Sequence, residues 1–308
     1  MKNRIYSLSI TIVIVCVVMA ILYPTQFPTV ENFSQILLNL SIDTIVAVGM
    51  MILMIAGMFD LSVGSIVAFS GGLAGYLMYY HDVHFGLAIG AGLGGPLLIG
   101  YVNGYLIAKI GINPMIQTLA MMGIVRGGAL MLSGSGLQNF PYEYNYIGQV
   151  KMLSLQSPIW YMLGIVLIFS YLVKNMAFFR RYYYIGGNEK AAYLSGIDVP
   201  KMKIWAFVIV AGLAGVAGIL LSSRLGTALS TSGRGMELRV ITAVILGGAS
   251  LSGGQGKIWG AFLGAAFMGI VGNVLILTRV SGYWQEIILG LILISAVGID
   301  QILQKKRS

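Results

Sequence analysis

Charge is what this chain has least of. Only 9% of its 308 residues are Asp, Glu, Lys or Arg, against 57% hydrophobic, and its mean hydropathy is +0.87. Soluble domains carry about a quarter charged residues, so a soluble globular fold is excluded. Acids are scarcer than bases, 10 against 19, which leaves a net charge of +9. That excess does not point to nucleic acid, because the basic residues are thinly spread and cluster at the ends of apolar segments, as membrane topology requires. Cysteine is limited to Cys16, inside an apolar run. This excludes an intrachain disulfide, a cysteine-only metal site and a CxxC redox motif. Histidine is limited to His81 and His84 in one short turn, with Asp82 the sole neighbouring carboxylate, so no metal site is expected. HExxH and GxSxG are missing, and Gly253-Gly254-Gln255-Gly256-Lys257-Ile258 lacks both the first glycine and the Ser/Thr of a phosphate loop. The chain is expected to bind no cofactor, to hydrolyse no ATP itself and not to be an enzyme.

What is present is apolar sequence in lengths of about 17 to 25 residues, the length a helix needs to cross a bilayer. Spans are expected near residues 5–23, 34–58, 63–80, 86–108, 114–132, 157–174, 204–222, 239–250, 256–277 and 284–303. The fold class is therefore all-α, a polytopic membrane protein of about ten helices forming one domain over 1–308. Lys2 and Arg4 followed by apolar residues to Leu22 look like a signal peptide, but no small-x-small cleavage site follows, and a retained first helix is expected. Ten spans put both termini on one side. Lys2, Arg4, Lys109, Lys174, Arg180, Arg181, Lys190, Lys201, Lys203, Lys257, Lys305, Lys306 and Arg307 fall on that side, which is thereby cytoplasmic. The smaller outer set is Lys151, Arg224, Arg234, Arg239 and Arg279, and Arg126 belongs to neither face.

Two spans are interrupted, and irregular backbone at membrane depth survives only where protein or a water-filled cavity covers it. The second ends in Gly57-Met58-Phe59-Asp60-Leu61-Ser62-Val63-Gly64-Ser65, and the short eighth in Gly247-Gly248-Ala249-Ser250-Leu251-Ser252-Gly253-Gly254-Gln255-Gly256. A shift of 190 residues aligns Leu61, Ser62, Gly64 and Leu73 with Leu251, Ser252, Gly254 and Leu263, a weak self-similarity of the kind an internally repeated transporter shows. Polar side chains close to these interruptions are the candidates for a pathway: Asn39 and Asp43, which share a helix face, with Thr242 and Asn273. For each the competing role is interhelical hydrogen bonding. Arg224, Arg234 and Arg239, on the side where positive charge is sparse, are candidates for docking a partner with acidic residues, or for lipid headgroup contact.

Between the apolar blocks lies a polar segment, Tyr182 to Lys203. Its chemistry describes a short helix with marked ends. Asn188 can accept bonds from the free N–H groups that follow, Glu189 suits the positive N-terminus, and Gly196 supplies a left-handed stop. Read on residues alone, this is either a peg for a partner or a solvated loop with one helical turn.

Three motifs together resemble a known family: Asp60-Leu61-Ser62-Val63-Gly64-Ser65; Ile185-Gly186-Gly187-Asn188 with Ala191-Ala192 and Ser195-Gly196-Ile197; and Gly235-Met236-Glu237-Leu238 running into Leu246-Gly247-Gly248-Ala249-Ser250-Leu251-Ser252-Gly253-Gly254-Gln255-Gly256. They look like the permease subunits of bacterial ribose-type sugar ABC importers, which include ribose, xylose, galactoside and autoinducer-2 permeases. The resemblance implies a sugar-transporting permease in the bacterial cytoplasmic membrane, paired with an identical or sister permease, docked on cytoplasmic ABC ATPases and fed by an extracytoplasmic sugar-binding protein. It also implies that 182–203 is the coupling-helix loop, so that Gly187, Asn188, Glu189, Ala191, Ala192, Ser195 and Gly196 contact the ATPase. One departure is Gly57-Met58-Phe59 where the family has Gly-Gly-Ile. A secondary transporter or channel for a small polar solute, and a membrane enzyme, are the competing classes.

Overall fold

The computed structural model describes residues 2–305; Lys306 and Arg307, assigned above to the cytoplasmic side, lie outside the described residues. Among the described residues, nine helices are long and apolar enough to cross a membrane. They are α1 (Lys2–Leu22), α2 (Val30–Ile55), α3 (Val63–His81), α4 (Phe85–Tyr105), α5 (Pro114–Ser133), α7 (Ser157–Asn175), α10 (Val199–Leu225), α12 (Ile258–Leu277) and α13 (Gly282–Lys305). Local chemistry marks their ends. Thr29 caps α2, Asn113 with Pro114 starts α5, and Asp198 accepts from the Lys201 N–H at 3.1 Å to start α10. α4 carries Pro96 in its interior and widens into a π-turn over Leu106–Ile110, which Gly111 ends at a φ of +85°. Four shorter helices complete the chain: α6 (Tyr142–Gln149), α8 (Ala177–Gly187), α9 (Glu189–Leu194) and α11 (Met236–Leu246). Among the described residues, strand structure is confined to two-residue pairs, Leu137–Gln138 (β1) with Thr227–Ala228 (β4) and Lys151–Met152 (β2) with Leu155–Gln156 (β3).

The eighth expected span, 239–250, is corrected by this structure. Its helix is α11, 11 residues long; at a rise of about 1.5 Å per residue it covers about 16 Å, half of the roughly 30 Å hydrocarbon core. It is preceded by residues 226–235, which follow α10 and hold β4 and a run of turns.

Helices α2, α3 and α10 form the buried centre, while α1 and α13 expose most of their surface. Close glycine contacts fix how these helices lie against one another. A Cβ on Gly218 would run into the Val67 carbonyl, and one on Gly71 would lie 2.9 Å from Ser222, so α3 and α10 run parallel. Gly100 faces Phe207 and Ala211, and Gly104 faces Ile204, so α4 runs antiparallel to α10. The Ser70 hydroxyl donates to the Gly92 and Gly215 carbonyls at 2.7 and 2.8 Å, tying α3, α4 and α10 together. Gly49 of α2 meets Val210. By this register Ile55 ends α2 near the level of Ile204, whereas Gly64 at the start of α3 lies near the level of Gly215. The linker 56–62, exposed at Gly57, therefore climbs back toward the middle of the bundle.

Candidate translocation site and coupling segment

The first break meets the segment that leads into the short helix α11. A Cβ on Gly64 would run into the Gly233 carbonyl and lie 2.5 Å from Glu237 Oε2. The segment 226–235 thus starts at the β1–β4 pair and dips to mid-depth before α11 begins at Met236, after Gly235 at a φ of +71°. What holds it there is Arg126 of α5, whose Nη1 donates to the Ser230 and Ser232 carbonyls at 2.6 and 2.8 Å. Two backbone acceptors that bilayer depth would leave unpaired are satisfied in this way, and the arginine that fits neither face acquires a structural role.

The first break is built on Asp60, fully buried. Its Oδ1 accepts from the Ser62 N–H at 2.7 Å and from the Ser62 hydroxyl at 2.6 Å, which forms the turn. Asn103 of α4 then donates to Ser62 Oγ, and Gln117 of α5 donates to Asn103 Oδ1, each at 3.2 Å. A polar chain therefore crosses from the break to α5. Asp60 Oδ2, Ser65 Oγ, Thr44 Oγ1 and Glu237 Oε2 are buried without a hydrogen-bond partner. Such orphans are rare in folded proteins, and these lie in or beside the two breaks and on α2 next to Asp43.

The sequence candidates fall into pairs that cross the expected roles. Asp43 meets Arg239 of α11 in an ion pair, Nε to Oδ2 at 3.3 Å, and Asn39 accepts from Arg224 Nη2 at 3.3 Å. Two pathway candidates are thus joined to two docking candidates, leaving Arg234 as the exposed member of the arginine set. Asn273 exchanges two amide hydrogen bonds with Asn32, at 2.7 and 3.3 Å, which binds α12 to the start of α2. Thr242 is buried and donates to the Leu238 carbonyl of its own helix at 2.7 Å.

The coupling-segment candidates are ordered by their own caps. Asn188 Oδ1 accepts from the Ala191 N–H at 2.9 Å, Gly196 ends α9 at a φ of +82°, and the Lys203 ammonium reaches Glu189 at 2.7 Å, fixing α9 to α10. Gly187, Asn188, Ala191, Ala192, Ser195 and Gly196 border a groove of about 780 Å³ between α8 and α9. Glu189 points away from it.

Sequence reading missed the joint beneath this segment. The Gly254 N–H donates to the Ile55 carbonyl at 2.8 Å, and a Cβ on Gly186 of α8 would strike both groups. Gly253, at a φ of +84°, is in turn packed on Gly186 and Gly57. Direct contact relates the two glycine turns in space. The Tyr183 hydroxyl adds a bond to the Gly256 carbonyl at 2.9 Å, and burial raises its pKa, so it stays a neutral donor. The signal was present as glycines in all three segments, but nothing in their spacing says that they meet.

Apolar helices around two interrupted spans, with charged and polar groups where they meet, define a polytopic all-α membrane protein. Comparison with known proteins is consistent with this over nearly the whole length. The ribose import permease protein RbsC of Escherichia coli (strain K12) is 36% identical over 297 residues, 94% of this chain and 92% of that protein. The L-arabinose ABC transporter permease protein AraH of Azospirillum brasilense is 38% identical over 284 residues, 92% and 83% of the two chains. The D-allose transport system permease protein AlsC of Escherichia coli (strain K12) is 32% identical over 304 residues, 97% and 92%. Residues 32–297 match the family described as branched-chain amino acid transport system / permease component, and the chain belongs to that family of membrane permeases. No solved structure matches it.

Proposed function

We propose that this chain is the membrane-spanning subunit of an ATP-binding-cassette importer for a monosaccharide or a similar neutral polyol. The carrying observation is that relatives named as ribose, L-arabinose and D-allose permeases align over at least 92% of the chain. It has no nucleotide site of its own, so ATP hydrolysis falls to separate cytoplasmic subunits, and a binding protein on the opposite face delivers the solute. The chain works as a dimer with an identical or sister permease in the bacterial cytoplasmic membrane, in contact with lipid and with both termini cytoplasmic.

The geometry supports a route for coupling. Residues 187–196, the ATPase contact in this reading, continue directly from α8, and Gly186 at the end of α8 abuts the Ile55 carbonyl and the Gly254 N–H. Those groups belong to the ends of the two interrupted spans. A displacement of α9 by the closing ATPase dimer is therefore delivered to both breaks through one backbone contact. The solute path runs beside them, past Asp43, Arg239 and Thr242, with Asn39 and Arg224 further along α2 and α10. Asn273 holds α12 to α2. Of the three arginines, Arg234 is the one available to an acidic residue of the binding protein.

The test is uptake into proteoliposomes that contain the full chain with the ATPase and binding protein that co-purify with it. ATP-dependent sugar uptake that stops without the ATPase supports the reading. Uptake driven by a concentration or ion gradient without ATP overturns it in favour of a channel or secondary transporter.

A further inference from the structure

A cavity of about 470 Å³ lies between α11, α12 and α13, within the range of small-molecule pockets. Its polar lining is Arg234 from the turn before α11, Glu237, Arg239 and Thr242 from α11, and Glu286 from α13. The apolar lining comes from Leu238 of α11, Met268 of α12 and, on the same face of α13 as Glu286, Leu289 and Leu293.

Charge around the cavity is balanced. Glu237 lies in the electrostatic range of Arg126 and Arg239, and Arg239 is paired with Asp43. Counting the exposed Arg234 and Glu286 as well, three guanidiniums stand against three carboxylates. A ligand with net charge would disturb this balance, whereas hydroxyl groups can donate to carboxylates and accept from guanidiniums without doing so. Apolar side chains beside such groups suit the C–H face of a sugar ring. Glu237 also reaches beyond the cavity, since its Oε2 lies over Gly64 of α3 without a hydrogen-bond partner. One side chain thus connects the cavity to the first turn of the other break.

We propose that this cavity is the permease's own recognition site for a neutral polyhydroxylated ligand. Glu237 and Arg239 contact hydroxyl groups, and Leu238, Met268, Leu289 and Leu293 supply the apolar contact. The site rests on the importer reading above and adds the residues that distinguish one sugar from another. Because Glu237 lies over Gly64, movement of the break displaces a ligand contact and favours release.

The experiment fills the cavity from α13. A Cβ on Gly290 of α13, which lines the cavity, meets nothing within 4 Å, and replacing a helical glycine raises helix propensity. Gly290→Phe therefore starts a large side chain from an unobstructed Cβ at the cavity lining. In proteoliposomes holding the complete transporter, with ribose, L-arabinose and D-allose as probes, uptake by Gly290→Phe is expected to fall tenfold or more. Its thermal midpoint, its ATPase co-purification and the mass of the complex stay at wild-type values. Glu237→Gln is expected to change the order of preference among the three sugars. Wild-type uptake by Gly290→Phe overturns the site, and so does loss of the second permease subunit, which would make the cavity a subunit contact. A Glu237→Gln change confined to folded yield, with sugar order unchanged, also overturns it. ATP-driven uptake of none of the three sugars by the wild type removes the importer reading itself, an outcome separable from the others.

Discussion

Gly186→Ala is the sharpest perturbation this fold offers, because one methyl group would enter the joint between α8 and the two interrupted spans. The added carbon would lie 3.0 Å from the Ile55 carbonyl carbon and closer still to the Ile55 oxygen and the Gly254 nitrogen. All three are backbone, so no side chain can rotate away. Inserting a methyl group into a packed site costs about 1–3 kcal/mol, and spreading the joint weakens a hydrogen bond worth about 0.5–1.5 kcal/mol. The sum is about 1.5–4.5 kcal/mol, or roughly 10- to 1,600-fold in the population of the closed joint, at about 1.4 kcal/mol per factor of ten. Purified transporter carrying Gly186→Ala should show a lower thermal midpoint and much less sugar taken up per ATP hydrolysed, while α9 still presents its surface to the ATPase. Gly187→Ala is the matched control, since a Cβ there meets nothing within 4 Å, and its thermal midpoint should equal that of wild type. If Gly186→Ala shows wild-type stability and wild-type uptake per ATP, the joint does not connect the coupling segment to the breaks.

Four further outcomes are expected. Gly196→Val forces a β-branched side chain into a φ of +82°, at a cost of about 1–2 kcal/mol, and should abolish uptake while circular dichroism in detergent shows the membrane helices intact. Asp43→Ala leaves Arg239 partly buried without its partner, and should destabilise by less than the 3–5 kcal/mol of a fully buried broken pair, because both side chains keep some exposure. The exchange Asp43→Arg with Arg239→Asp should recover part of that loss in the thermal midpoint, and additive losses would argue against the pair. Asn273→Ala removes the reciprocal amide bonds to Asn32 and should lower stability by about 1 kcal/mol with uptake per folded complex unchanged; altered sugar preference in this variant would return Asn273 to the pathway. Arg126→Met strips two carbonyls of their donor and should lower folded yield more than the surface substitution Arg181→Met, as read by fluorescence-detected size exclusion.

Much of the scaffold was legible because bilayer length and apolar composition constrain a helix more strongly than any soluble context does. The caps at Asn188 and Gly196 were also legible, since they depend on neighbours within a few residues. The span expected at 239–250 starts three residues late, because its helix begins at Met236 behind a left-handed Gly235 with no side-chain cap to mark the start. What the sequence does not display is which distant residues meet. Asn39 and Arg224 are separated by 185 positions, and Asn32 and Asn273 by 241. No periodicity couples positions so far apart, so single polar residues could be placed at depth but not given partners. Arg126 shows the limit: its position inside a span was visible, but the carbonyls it serves belong to a segment about a hundred residues later that carries no pattern of its own.

The dependence of α11 on Arg126 and Gly64 has a consequence for how the chain is made. An 11-residue helix preceded by irregular backbone is too short to enter a bilayer on its own as a span. Its berth is provided by α3 and α5, which leave the ribosome well before it, and chains generally assemble from the N-terminal side during synthesis. The first ten helices must then stand, for the interval in which residues 226–246 are being added, with the Arg126 guanidinium lacking its carbonyls and the face of α3 around Gly64 uncovered. Biogenesis of this permease therefore passes through an intermediate with a polar cleft at mid-membrane, which is the stage at which a membrane chaperone or the insertion machinery has something to hold.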